Sequence, residues 1–213
     1  SFFLPLVAGP ILRASAFLPQ LREKIQQQGT TQKLKLFVIE NQNLKFGITL
    51  MSLGFFKKMF FADNIEPLVN NIFSNPIGME SFSIMIGAIA FGVQIYCDFS
   101  GYSDIAIGGA AILGFKIPLN FNKPFFATSP SDFWTRWHIS LSTWVRDYLY
   151  YPLVFKNRKS NSLVFISLLI SMIVMGIWHG ASWNFLIWGG IHGVFLVCFN
   201  MLRKKVPTAS SNK

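Results

Sequence analysis

Residues 162–178 read SLVFISLLISMIVMGIW and residues 183–202 read WNFLIWGGIHGVFLVCFNML, two runs without an Asp, Glu, Lys or Arg. A third, residues 81–97 (SFSIMIGAIAFGVQIYC), has the same character. Each is about long enough, as a helix, to cross a hydrocarbon core. A surface helix of a soluble protein keeps a wet face with recurring charges, and these runs have none. The fold class is therefore all-α, a polytopic transmembrane helical bundle. Composition agrees: 52% of residues are hydrophobic and 13% charged, against roughly 25% charged in soluble domains, and mean hydropathy is +0.42.

The net charge of +10 does not imply nucleic acid, because the Lys and Arg residues flank the apolar runs instead of forming one basic stripe. Flanking positive charge marks cytoplasmic loops. Residues 20–45 carry Arg22, Lys24, Lys33, Lys35 and Lys45, residues 62–81 carry no Lys or Arg, and residues 116–159 carry Lys116, Lys123, Arg136, Arg146, Lys156, Arg158 and Lys159. The first and third stretches are expected inside and the second outside, with Arg203, Lys204 and Lys205 closing the last span on the inner side. Residues 46–61 must then cross, with Lys57 and Lys58 snorkelling or facing protein.

Cys97 and Cys198 stand singly, so neither a disulfide framework nor a zinc site is implied, and no metal is expected. The chain opens at Ser1 on apolar residues without the charged start of a signal peptide, which reads as a piece of a longer protein. No repeat stands out. One membrane-embedded domain over residues 1–206 and a polar tail over 207–213, disordered in expectation, is the economical organisation.

Between the spans, residues 129–151 are too polar to cross and too aromatic for a plain loop. Ser129, Pro130 and Asp132 predict a helix start, with a capping residue, a proline that needs no donor and an acidic third position. Phe133, Trp137, Leu141, Trp144 and Tyr148 then recur at helical spacing on one face, and Arg136, Ser140, Thr143 and Asp147 fall on another. An amphipathic helix at the inner membrane boundary is expected, with the link 178–183 at the outer end or re-entrant.

Ionisable residues within a membrane are candidates for function, and the chain has three histidines. His179 ends a span beside Gly180, which leaves room for a ligand or backbone to approach; the bland alternative is a helix C-terminal cap. His138 follows Trp134 by one turn and neighbours Arg136 and Trp137; it is either functional or a boundary residue of the interfacial helix. His192, between Gly189 and Gly193, reads as part of a helix-packing face, and a haem held by His179 and His192 finds no other support. Asp98 and Asp104 flank Gly101, which is expected to break the helix; Asp104 would cap a following helix over 105–115 and Asp98 would pair with Arg136 or Arg146. For both, structure outweighs catalysis. Nucleotide loops, serine elbows and H-E-x-x-H are absent.

Four blocks, QIYCDFSGYSDIAIG (94–108), NFNKPF (120–125), DFWTRWHISLSTWVRDYLYYPL (132–153) and MGIWHGASWNFLIWGGIHG (175–193), together with the opening SFFLPLVAGPI, resemble the membrane-bound O-acyltransferase family. Within it the chain looks like the bacterial alginate O-acetyltransferase branch and is similar in the same blocks to the protein that places D-alanine on teichoic acids. The resemblance implies a catalytic His179 in Trp178-His179-Gly180 and a second site histidine, His138, in Arg136-Trp137-His138. It also implies further membrane helices before Ser1.

The activity so implied is transfer of an acyl group, expected to be acetyl, to hydroxyls of an extracytoplasmic polysaccharide. His179 would act as general base, His138 would orient the donor or position a proton, and Trp137, Trp178 and Trp183 would line and dry a tunnel. No bound cofactor is expected; the donor would be acetyl-CoA or another acyl thioester. The setting would be a bacterial cytoplasmic (inner) membrane, crossed several times, with the acceptor reached through a periplasmic or extracellular partner protein. D-alanyl or other acyl transfer to teichoic acid or peptidoglycan is the nearest rival. A proton-coupled transporter would show interrupted helices in two similar halves, which are not seen, and a purely structural subunit has little reason to bury His179 beside Gly180.

Overall fold

A computed structural model describes residues 9–27, 41–155 and 161–205. The tail 207–213, the opening apolar residues up to 8, Lys33, Lys35, Lys156, Arg158 and Lys159 lie outside the described residues. Those described are helical wherever they are regular. Three helices are long and apolar enough to cross a membrane: Ser81–Ile112, Ser162–His179 and Trp183–Arg203. The chain divides into two compact units, Ser1–Asn120 and Phe121–Lys213.

The first unit contains α1 (Ala14–Gln27), α2 (Asn41–Phe55), a π-helical turn (Phe56–Ala62), α3 (Asp63–Ser74) and α4 (Ser81–Ile112). Its core gathers Ala106, Ile107, Ala110, Phe115 and Ile117, with Phe17, Leu21 and Leu50 packed against them. The Gln20 amide joins α1 to the chain beyond α4, donating to the Lys116 carbonyl at 3.0 Å and accepting from the Lys116 N–H at 2.8 Å.

α4 does not break at Gly101, and Asp104 caps nothing; the helix runs unbroken for 32 residues, roughly 48 Å at 1.5 Å per residue. Gly101 lacks a side chain for another reason. α2 crosses α4 so closely that a Cβ on Gly47 would lie 2.5 Å from the Gly108 carbonyl oxygen, and one on Gly108 would lie 2.6 Å from that of Gly47. Gly54 and Gly101 form a second such contact about two turns away. Small residues admit backbone against backbone where lipid supplies no hydrophobic drive. α4 ends where Gly114, with φ of +73°, turns the chain so that the Phe115 N–H reaches the Ala110 carbonyl at 2.8 Å, the usual work of a left-handed glycine past a helix end.

The expected crossing at 46–61 is helical but is not among the three apolar candidates: α2 runs for 15 residues before the π-helical turn that carries Lys57 and Lys58. Both face protein. Lys57 Nζ lies 2.6 Å from Asp104 Oδ2, and Lys58 Nζ lies 2.7 Å from Asp98 Oδ1 and from Asp63 Oδ1. Asp98 therefore pairs with Lys58, not with Arg136 or Arg146. Both lysines belong to the π-helical turn, a local widening common where side chains must be re-aimed.

The second unit contains α5 (Pro130–Arg136), α6 (Ile139–Val145), a π-helical turn (Arg146–Tyr150), α7 (Tyr151–Phe155), α8 (Asn161–His179) and α9 (Trp183–Lys205). α8 and α9 form an antiparallel hairpin. A Cβ on Gly189 would meet the Met172 carbonyl oxygen at 2.5 Å, and one on Gly193 would meet Leu169 Cδ1 at 2.7 Å, so the expected packing face around His192 is present. Within α8 the Ser167 and Ser171 hydroxyls each donate at 2.7 Å to a carbonyl one turn back, which silences two polar groups in an apolar helix.

Candidate active site

The start of the interfacial segment follows the sequence closely. Ser129 is the N-cap of α5, and its Oγ accepts the Asp132 N–H at 3.0 Å. Asp132 Oδ2 reaches back to the Thr128 N–H at 3.0 Å, while Oδ1 accepts from Arg136 Nε at 2.8 Å. These donors, Arg136 foremost, hold the Asp132 carboxyl below its ordinary range. Arg136 is thus engaged within its own helix.

The single amphipathic helix expected over 129–151 is not formed. It breaks at Trp137, whose backbone is extended, and at His138, which adopts the left-handed conformation at φ 42° and ψ 55°. Three carbonyls at the break have partners: the Asn122 N–H donates to the Arg136 carbonyl at 2.9 Å, the Ser142 N–H to the His138 carbonyl at 2.9 Å, and Ser142 Oγ to the Trp137 carbonyl at 3.1 Å. The turn rotates the expected faces. Ser140 and Val145 join Leu141 inside, whereas Trp144 and Tyr148 are exposed. Left-handed backbone at a residue with a Cβ costs on the order of 1–2 kcal/mol and persists where surroundings over-determine it.

The break drives His138 inward. It is 5% exposed, and its imidazole is pushed down to about 4, first by burial and then by the charge of His179. It therefore stays neutral at physiological pH. His138 and His179 meet across one indole: the Trp178 ring lies 6.4 Å from the His138 ring and 5.0 Å from that of His179, edge to face with the latter.

His179 is the last residue of α8 and is exposed. Its ring stacks 6.2 Å from Phe185 and stands edge-on to Trp188 at 5.3 Å. The space beside Gly180 is not open for a ligand: a Cβ there would lie 2.5 Å from the ring of Phe185. Trp188 continues to His192 at 4.8 Å, and His192 to Trp134 at 5.3 Å. Trp137 stacks on Phe133 at 5.6 Å and takes the edge of Phe121 at 5.1 Å. The three histidines thus belong to one array of rings, a link through Trp188 that helical spacing alone did not reveal.

A cavity of about 590 Å³ lies within this unit, walled by Trp134, Ile139, Arg146, Tyr150, Met172 and Met175 among others. Trp137, Trp178 and Trp183 are not on it, and Trp178 and Trp183 are 61% and 78% exposed. Trp134 lines the cavity and also belongs to the histidine array. Asp98 and Asp104 stay in the first unit with their lysines. Among the described residues, no group of His, Cys, Asp and Glu is arranged to hold a metal ion.

Chemically, the array brings two imidazoles against one indole among other aromatic rings, groups able to take up and release a proton. Residues 1–211 match the sequence profile of the membrane-bound O-acyltransferase family. The chain is 40% identical over 205 residues to a protein of Azotobacter vinelandii named as a probable alginate O-acetylase, AlgI, covering 95% of this chain and 38% of the relative. It is 37% identical over 196 residues to the peptidoglycan O-acetyltransferase of Helicobacter pylori, covering 92% of this chain and 35% of the relative. It is 33% identical over 221 residues to the teichoic acid D-alanyltransferase of Bacillus subtilis, covering 95% of this chain and 50% of the relative. The chain therefore spans half or less of the length of these relatives.

Proposed function

From a chain that belongs to the membrane-bound O-acyltransferase family, we propose the catalytic portion of an enzyme that moves an acetyl group onto hydroxyls of a polysaccharide outside the cytoplasmic membrane. The observation that carries this reading is the convergence of His138 and His179 on Trp178. Both units are assigned to one acyltransferase domain, crossing a bacterial inner membrane several times.

The donor is acetyl-CoA or another acyl thioester, approaching from the cytoplasm, where the exposed Lys123 favours an anion. The acceptor comes from outside, delivered by a periplasmic or extracellular partner. Neutral His179 takes the proton as the acceptor oxygen attacks the thioester carbonyl. A C–O bond forms, the C–S bond breaks, and the departing thiolate recovers the proton from His179. His138, buried and neutral, fixes the far side of Trp178 and with it the direction from which His179 is approached. The likeness to a D-alanyltransferase supports the same chemistry with a different acyl group and a teichoic acid acceptor.

The test is mass analysis of surface glycans from cells lacking the full-length gene and complemented with wild type or with His179→Ala. Loss of one ester on deletion names acyl group and acceptor. Wild-type complementation restores it and His179→Ala leaves it at least about a hundredfold lower, the usual scale of a lost general base. An unchanged ester pattern on deletion, or a well-folded His179→Ala protein that restores the ester, refutes the proposal.

A further inference from the structure

The geometry points to Trp188 as a positioning residue for the His179 imidazole, an inference that rests on His179 being the base. Among the described residues the contacts that surround the His179 ring are aromatic. Trp188 stands at 87° to it with 5.3 Å between centroids, the edge-to-face arrangement that aromatic quadrupoles favour.

Trp188 is itself held from behind. His192 lies 4.8 Å from it and Trp134 lies 5.8 Å from it, nearly perpendicular; those two rings touch each other at 5.3 Å, and Phe133 stacks on His192 at 6.4 Å. The backbone is fixed as well. Gly189, the next residue, brings α9 against the Met172 carbonyl with no room for a methyl group, so the indole cannot slide along α8 unless the hairpin opens. His179 sits at the free end of its helix, exposed, where the backbone alone restrains a side chain least. A base must hold its nitrogen about 2.6–3.2 Å from the oxygen whose proton it removes, and displacement by about 1 Å costs on the order of a hundredfold. A rigid indole supplies that precision from the neighbouring helix. This also gives His192 a place in the site, as packing behind Trp188.

The experiment uses the full-length protein in deletion cells and reads surface ester per unit of folded protein, the latter from size exclusion of a detergent-solubilised fluorescent fusion. Trp188→Leu is expected to lower this ratio about tenfold or more. Trp188→Phe keeps a ring edge toward His179 and is expected to stay within about threefold of wild type. A Leu variant with a wild-type ratio, or a Phe variant that falls as far as Leu, overturns the inference. Should the Leu variant not fold, His192→Leu removes the ring behind Trp188 without touching His179, and an unchanged ratio there overturns it equally. His179→Ala is run alongside. If that protein remains active the base reading fails; if it is inactive while Trp188→Leu behaves as wild type, only the present inference fails.

Discussion

A methyl group placed on Gly54 would lie 2.5 Å from the carbonyl oxygen of Gly101, and one placed on Gly101 would lie 2.7 Å from that of Gly54. The obstacle in each direction is backbone, which cannot rotate aside as a side chain can. Gly54→Val and Gly101→Val are therefore expected to destabilise the first unit by about 1–3 kcal/mol or more. Gly92→Ala, on the same α4 with nothing within 4 Å of the added carbon, should leave thermal unfolding nearly unchanged. Equal midpoints for all three in detergent-purified full-length protein would contradict the close crossing.

The titration of His138 makes stability fall on acidification. In the folded chain the ring stays neutral down to about 4, while in the unfolded chain it takes up a proton below its ordinary value near 6.5. Between those values the unfolded state binds more protons, so the contribution is fully present above about pH 6.5 and is lost progressively toward pH 4. At pH 5 the loss is on the order of 2 kcal/mol. Unfolding midpoints at pH 7 and pH 5 should differ less for His138→Gln than for wild type, and an identical drop in both proteins would count against it.

The two aspartates of α4 should not be equivalent. The Lys57–Asp104 pair is 23% and 17% exposed, whereas Lys58, Asp63 and Asp98 lie between 42% and 53%. Exposed pairs contribute little, and a partner left alone in a buried site costs much more. Asp104→Asn is expected to reduce folded yield more than Asp98→Asn, and Lys57→Met combined with Asp104→Leu to recover part of it. Both single variants should retain surface ester per folded molecule. A specific loss of activity in Asp98→Asn would give Asp98 a catalytic part.

Sidedness is checked with single cysteines in a full-length protein whose Cys97 and Cys198 have been replaced. Asn71 and Asn122 are both exposed, and the distribution of Lys and Arg puts the first outside and the second inside. An impermeant thiol reagent applied to intact cells should label a cysteine at 71 and not one at 122. The opposite pattern would invert the proposed approach of donor and acceptor.

Much of the fold was legible because it is written in apolar run length: α4, α8 and α9 begin where the charge-free runs begin. The Ser129 cap was legible because it is a local device. What escaped is set by contact between distant segments. Gly101 looks like a helix breaker until Gly54 is seen to need its missing Cβ. A histidine gives no local sign that it will take a left-handed backbone, since the cause lies in Asn122 and Ser142, which hold the carbonyls on either side. For the same reason the spacing of the tryptophans could not tell which would wall the cavity of about 590 Å³; Trp134 does. In the site, the motifs pointed to His138 and His179, while Trp188, between two histidines, left only its spacing from His192 as a clue.

The left-handed backbone at position 138 sets backbone comfort against the proposed chemistry at a single residue. Glycine would adopt φ of 42° without the steric cost that a Cβ imposes, so a screen for heat tolerance alone has a reason to select His138→Gly. That protein would keep the helix break and lose the imidazole. A search for hardier variants is therefore drawn, at this position, toward proteins that have lost the imidazole on which the proposed chemistry relies.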